Sequence, residues 1–167
     1  MINTVDKILD NVFLYPAALI VPEKPALVHT ILGSCVSVCF FDKVNKFGGI
    51  NHFMLPLWNG EGLATPKYGN IAIEKLLDKM ISRGSKREHL IAKVFGGGEV
   101  IDYSSNTFNI GLRNISIALE ILHEHRIPIV SQSIGGKLGR KIIFNSSTGE
   151  VIQRFVKSEN RIEANGE

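Results

Sequence analysis

Cysteine is scarce: Cys35 and Cys39 are the only two in 167 residues. Two cysteines make no disulfide framework. On an extended chain four residues span about 13 Å, and a disulfide needs Cα atoms within about 7 Å, so these two do not pair. Long apolar runs are also missing. Ala17 to Val21 and Val36 to Phe41 fall far short of the roughly 18 residues of a membrane span. The first residues lack the basic start and apolar stretch of a signal peptide, and Asp6 and Asp10 interrupt them, so a cytoplasmic protein is expected. Charge of one sign is nearly absent: 19 Lys and Arg against 16 Asp and Glu leave +3. With no basic block interleaved with aromatics, nucleic acid is not an expected partner. Lys86 and Arg87, and Lys137, Arg140 and Lys141 around a turn, read as solvated faces.

What is present is ordinary for a globular chain: 44% hydrophobic and 21% charged residues, which excludes extensive disorder. The length suits one domain, expected over 1–157, with a polar tail over 158–167. Glycines punctuate short elements, as in a compact α/β or α+β fold. Ala26 to Leu32 and Val36 to Asp42 read as strands, the second with two partly buried faces. Lys43 to Lys46 is a polar turn, and Phe47 to Leu55 returns, giving a hairpin. Thr65 is the expected N-cap of a helix with Pro66 in its first turn. Ile73, Leu76, Leu77 and Met80 fall on one face of that helix, which ends near Gly84. A strand over Leu90 to Phe95, a helix over Gly111 to His125, and strands over Ile127 to Gln132, Arg140 to Phe144 and Glu150 to Val156 complete the pattern.

Cys35 draws attention by its place between a Gly33-Ser34 turn and a strand. Free backbone N–H groups at such a junction lower a thiol pKa and form an oxyanion hole. His52 lies on the returning strand, roughly opposite, within reach of a thiol–imidazole contact. Thr30 stands just before the turn, where it can orient the imidazole. Nucleophile, base and orienter are the set of a cysteine hydrolase. The same spacing also fits a small core cysteine and a structural histidine. Cys39, flanked by Val38 and Phe40, reads as core. His29 with Cys35 and His52 has no zinc-site spacing, so no metal is expected. Gly96-Gly97-Gly98-Glu99 and Gly135-Gly136-Lys137-Leu138-Gly139-Arg140 match neither phosphate-loop pattern and read as tight turns or close backbone approach. Asn114-Ile115-Ser116 matches the glycosylation tripeptide, which carries no weight in a cytoplasmic chain.

Thr30-Ile31-Leu32-Gly33-Ser34-Cys35-Val36 and Gly48-Gly49-Ile50-Asn51-His52-Phe53-Met54-Leu55-Pro56 together resemble the chemoreceptor glutamine deamidase family, CheD. Lys93-Val94-Phe95-Gly96-Gly97-Gly98, Ile110-Gly111-Leu112-Arg113-Asn114 and Gly135-Gly136 with Gly139-Arg140-Lys141 extend the resemblance from Ala26 to Val156. It implies a layered α/β sandwich of mixed sheets with outer helices, similar to deamidating toxins. It implies hydrolysis of glutamine side chains on methyl-accepting chemotaxis receptors to glutamate, without a cofactor. The chemotaxis phosphatase CheC is the implied regulatory partner. Cys35 matches the family's nucleophile and His52 its base. Thr30 matches the third member, although some members carry that threonine one residue earlier, where this chain has His29. Many members also carry an acidic residue about where Ser133 stands. Two other classes compete with this expectation. One is a binding module that docks the phosphatase with little catalysis. The other is a cysteine hydrolase of small substrates, which would need a deep, closed pocket. The loop from Trp58 to Tyr68 is expected to border the site.

Overall fold

The computed structural model describes residues 8–99 and 109–157; the expected tail lies outside them. In chain order the elements are β1 (Asp10–Phe13), β2 (Ala18–Ile20), β3 (Ala26–Leu32), β4 (Val36–Asp42), β5 (Phe47–His52), α1 (Gly69–Ser82), a 3-10 turn (Arg87–His89), β6 (Leu90–Gly96), α2 (Ile110–Glu124), β7 (Ile129–Ile134), β8 (Gly139–Asn145) and β9 (Val151–Val156). One sheet has the order β1-β3-β8-β9 and the other β2-β5-β4-β6-β7. Both are mixed: β1 runs parallel to β3 and β7 to β6, and the other neighbours are antiparallel. The architecture is the expected α/β one.

Three layers follow from the side-chain pattern. β3 alternates strictly: Ala26, Val28, Thr30 and Leu32 are buried, and His29 and Ile31 fall on the other side. Val28 and Leu32 meet Ile142 and Phe144 of β8, and Cys39, Ile50 and Phe95 of the second sheet, in a core between the sheets. β4 is buried along its whole length, as its unbroken apolar run requires. Its opposite face, Val36, Val38 and Phe40, packs on Leu76, Leu77 and Met80 of α1 and Ala118 and Leu122 of α2. The helices therefore cover the five-stranded sheet alone.

Several boundaries depart from expectation. β1 and β2 have no strong sequence signal; four and three residues are too short for periodicity to show. α1 begins at Gly69, not in the turn after Thr65. Residues 65–68 instead form a turn whose Lys67 carbonyl accepts from Met54 and Leu55, and the Gly69 N–H donates to the Leu55 carbonyl. β5 stops at His52, with only isolated bridges beyond, and β7 starts two residues late, at Ile129. Arg140 is no solvated cation. It is 2% exposed, and its guanidinium donates to the carbonyls of Gly96, Ser133 and Gly135. It thereby braces the Gly135-Gly136 turn, where both glycines have positive φ.

Candidate active site

The site lies at one end of the sandwich, where β3 crosses through Gly33 and Ser34 into β4. In β4, Cys39 belongs to the core between the sheets. Strand alternation puts Cys35 and Ser37 on that same side, and Cys35 packs against that core, half-buried. Phe53 bridges Val36, so in this register His52 stands across from Ser37, two residues along the strand from Cys35 and on the same face. The expected opposition is thus diagonal, but both side chains share the face toward β3.

Thr30, fully buried on the inward side of β3, completes the approach. Its Oγ1 donates to the Leu14 carbonyl at 2.8 Å and lies 2.7 Å from His52 Nδ1. A hydroxyl has one hydrogen. With that hydrogen given to Leu14, Thr30 must accept from Nδ1–H. The neutral imidazole then carries its lone pair on Nε2, which is buried and has no partner among the described residues. His29 faces away, its Nε2 2.8 Å from Asn11 Oδ1, so it joins neither Cys35 nor His52. Burial pushes the His52 pKa down to about 4. Burial pushes the Cys35 thiol up, and the residue's own backbone N–H pulls it part of the way back. Desolvation disfavours both charges, so the resting pair is neutral thiol and neutral imidazole.

Three successive carbonyls of the turn are tied down. The Gly33 carbonyl accepts from Gly98 N–H at 2.9 Å and that of Cys35 from Gly97 N–H at 2.9 Å. The Ser34 carbonyl accepts from Asn114 Nδ2 at 2.9 Å. The backbone N–H groups of Ser34 and Cys35 make no backbone hydrogen bond among the described residues, whereas Val36 N–H is held by the Phe53 carbonyl. The glycines are close-approach positions, as expected. A Cβ on Gly111 would lie 2.4 Å from the Gly97 oxygen, so the first turn of α2 can press on the 96–98 backbone. Asn114, fully buried on α2, was not singled out by spacing. Its partners are 80 and 60 residues away, beyond any local pattern.

The loop from Trp58 to Tyr68 meets the segment that follows His52, where its Lys67 carbonyl accepts from Met54 and Leu55. Cys39 is a core residue whose thiol burial drives far up. Trp58 is half-buried; its backbone N–H bonds Asn70 and its indole the Glu61 carbonyl, tying the loop to α1. Among the cavities lined by described residues, one of about 450 Å³ lies between α1 and α2 and one of about 530 Å³ at the Gly135-Gly136 turn. Neither has Cys35 or His52 in its wall. No helix among the described residues is long and apolar enough to cross a membrane.

Residues 54–155 match the family model described as CheD chemotactic sensory transduction. The match starts after His52, so it does not depend on Thr30, Cys35 or His52. A protein of Trichlorobacter lovleyi, named "Probable chemoreceptor glutamine deamidase CheD", is 51% identical over 89% of this chain and 92% of its own length. A protein of the same name from Sulfurimonas denitrificans is 44% identical over 87% and 94%. A third, from Anaeromyxobacter dehalogenans, named "Probable chemoreceptor glutamine deamidase CheD 1", is 40% identical over 83% and 81%. On the family model and on these relatives alike, the chain belongs to the CheD family.

Proposed function

We propose that this chain hydrolyses glutamine side chains of chemotaxis receptors to glutamate, with Cys35 as nucleophile, His52 as base and Thr30 as the residue that orients it. The observation that carries the reading is the Thr30–His52 contact at 2.7 Å, with the Thr30 hydrogen committed to Leu14. It leaves the Nε2 lone pair on the side of the sheet that Cys35 shares. The relatives' names supply the substrate class.

The chemistry then runs from a neutral pair. As Sγ bonds the glutamine side-chain carbonyl carbon, its proton passes to His52 Nε2. The oxygen takes up negative charge, and the N–H groups of Ser34 and Cys35, beside Gly33 and without a backbone partner among the described residues, are the donors at hand to hold it. The imidazolium gives its proton to the departing nitrogen, which leaves as ammonia. Water, losing a proton to Nε2, attacks the thioester; the C–S bond breaks and the thiol is restored. Every proton moves through Nε2, so no metal or organic cofactor is needed.

The relatives' names give a receptor, itself a protein, as the substrate, and a cysteine that is only half-buried is open to such a partner. The reading carries with it a cytoplasmic place of work and the phosphatase CheC as a regulatory partner, both supported by family membership alone. The test is ammonia release and intact mass of a receptor cytoplasmic fragment, with wild type, Cys35→Ala and Thr30→Ala in parallel. Wild type is expected to add ~1 Da per target glutamine, Cys35→Ala to add none, and Thr30→Ala to act about 10- to 100-fold more slowly. Unchanged mass with the fragment still bound would leave a docking module in place of an enzyme.

A further inference from the structure

Asn114 ties together the two segments that carry the proposed nucleophile and base. Its Nδ2 donates to the Ser34 carbonyl at 2.9 Å and to the Met54 carbonyl at 3.0 Å. Ser34 precedes Cys35; Met54 follows His52 by two residues. Only the NH₂ end of the amide can face two carbonyls, so its orientation is fixed. The opposite end, Oδ1, is buried without a partner among the described residues. A buried acceptor left unpaired is destabilising, and an apolar side chain at this helix position would avoid it. Such a side chain would, however, release both carbonyls.

The direction of one peptide group follows from the first of these bonds. The Ser34–Cys35 peptide is trans and planar, so its C=O and N–H point in opposite directions. Holding the Ser34 carbonyl toward α2 aims the Cys35 N–H away from α2. That N–H is one of the two in the turn with no backbone partner among the described residues. The second bond holds the segment just after His52 to the same amide. We propose that Asn114 is a positioning residue: one side-chain amide sets the direction of the Cys35 N–H as oxyanion donor and the placement of the His52 strand against it. The proposal rests on the deamidase reading for its kinetic readout. It concerns the rate of the chemical step, because Asn114 is fully buried and out of reach of a protein substrate.

The test uses Asn114→Asp and Asn114→Ser in the full chain, with melting temperature, kcat and KM on the receptor fragment, and iodoacetamide labelling. Labelling of a Cys35→Ala control is subtracted to leave Cys35 alone. An ionised carboxylate repels both carbonyls, whereas a protonated one donates to one of them. Asn114→Asp is therefore expected to lose about 10- to 100-fold in kcat at pH 7.5 with KM unchanged. It should recover severalfold toward pH 5.5, where wild type stays flat. Cys35 labelling should slow at least about threefold alongside. Asn114→Ser, with one donor left, should show the same kcat-only loss on a smaller scale and no recovery at low pH. Folded variants with wild-type kcat overturn the proposal, and so does unfolding of both, which would make Asn114 a residue of the fold alone. If wild type itself releases no ammonia, the deamidase reading fails separately. The positioning claim is then decided on labelling alone, and an unchanged Cys35 rate in both variants overturns it.

Discussion

The β4–β5 hairpin has two ends built from similar material and finished in opposite ways. At the turn end, Asp42 is a fully buried carboxylate. Its Oδ1 accepts from the Val44 and Asn45 N–H groups, and its Oδ2 from Asn45 Nδ2 and Ser85 Oγ, all within 3.0 Å. Both carboxylate oxygens are bonded twice. At the open end, His52 Nε2, Ser37 Oγ and Asn114 Oδ1 are all buried without partners among the described residues, and the Ser34 and Cys35 N–H groups have no backbone partner among them. Buried polar groups are almost always paired; these exceptions gather where the proposed site lies, while others, at His89 and Gln153, stand apart from it. The same strand pair thus carries a satisfied network around Asp42 and, at its other end, the unpaired groups of the proposed site.

His52→Gln should show the largest effect. Removing the base is expected to lower kcat by about a thousandfold or more while the fold survives. It should also change how stability depends on pH. The folded imidazole titrates at about 4, against about 6.5 in an unfolded chain. Between those values the unfolded state binds more protons, so stability is complete above about 6.5 and falls as pH drops toward 4. The fall amounts to at most about 3 kcal/mol. Urea unfolding from pH 7 to 3.5 should lose this slope in His52→Gln. A slope that persists would locate the titrating group elsewhere.

Asp42→Asn is the counter-experiment at the satisfied end. Burial alone would push this carboxyl up, but the bonds from Asn45, Ser85 and Val44 outweigh it and hold the pKa below the ordinary value. Its contribution is therefore present above about pH 4 and is lost only as pH falls further, through the folded value. Asp42→Asn is expected to cost about 2 kcal/mol at neutral pH and to flatten the profile below pH 4. It should leave the step between 6.5 and 4 and the value of kcat unchanged. A large loss of kcat at unchanged stability would show that the two ends are not independent.

How much of this was legible in the sequence depended on range. The hairpin, both helices and the inner strands announce themselves because alternation in β3 and 3.6-residue spacing in α1 are local signals. The choice between Thr30 and His29 is a question of parity, and β3's burial pattern answers it once Leu32 is placed inward. What spacing could not give were contacts made across the chain. Residues 65–68 look like a helix start until Met54 and Leu55 claim the Lys67 carbonyl. Arg140 looks like a surface cation until Gly96, 44 residues away, meets it. Asn114 lies on an amphipathic helix as one polar residue on the core face, and only its two distant carbonyls explain it.

The smallest expected effect isolates what an unpaired group at the open end is for. Ser37 is fully buried, on the side of β4 shared by Cys35 and Cys39, and its Oγ has no partner among the described residues. Replacing an orphaned hydroxyl with a hydrogen removes a desolvation cost and leaves only a very small gap. Ser37→Ala is expected to stabilise the fold by about 0.5–1 kcal/mol, a rise of roughly 1–4 °C in Tm for a chain of this size. If Ser37 merely tolerates its burial, kcat will not move. If its hydroxyl instead turns to His52 Nε2 or to bound substrate during turnover, the gain in Tm will come with a severalfold loss of kcat. That pairing of opposite signs is what separates a packing imperfection from a group kept unsatisfied for the reaction. The same substitution logic has no counterpart at Asp42, where both carboxylate oxygens are already bonded.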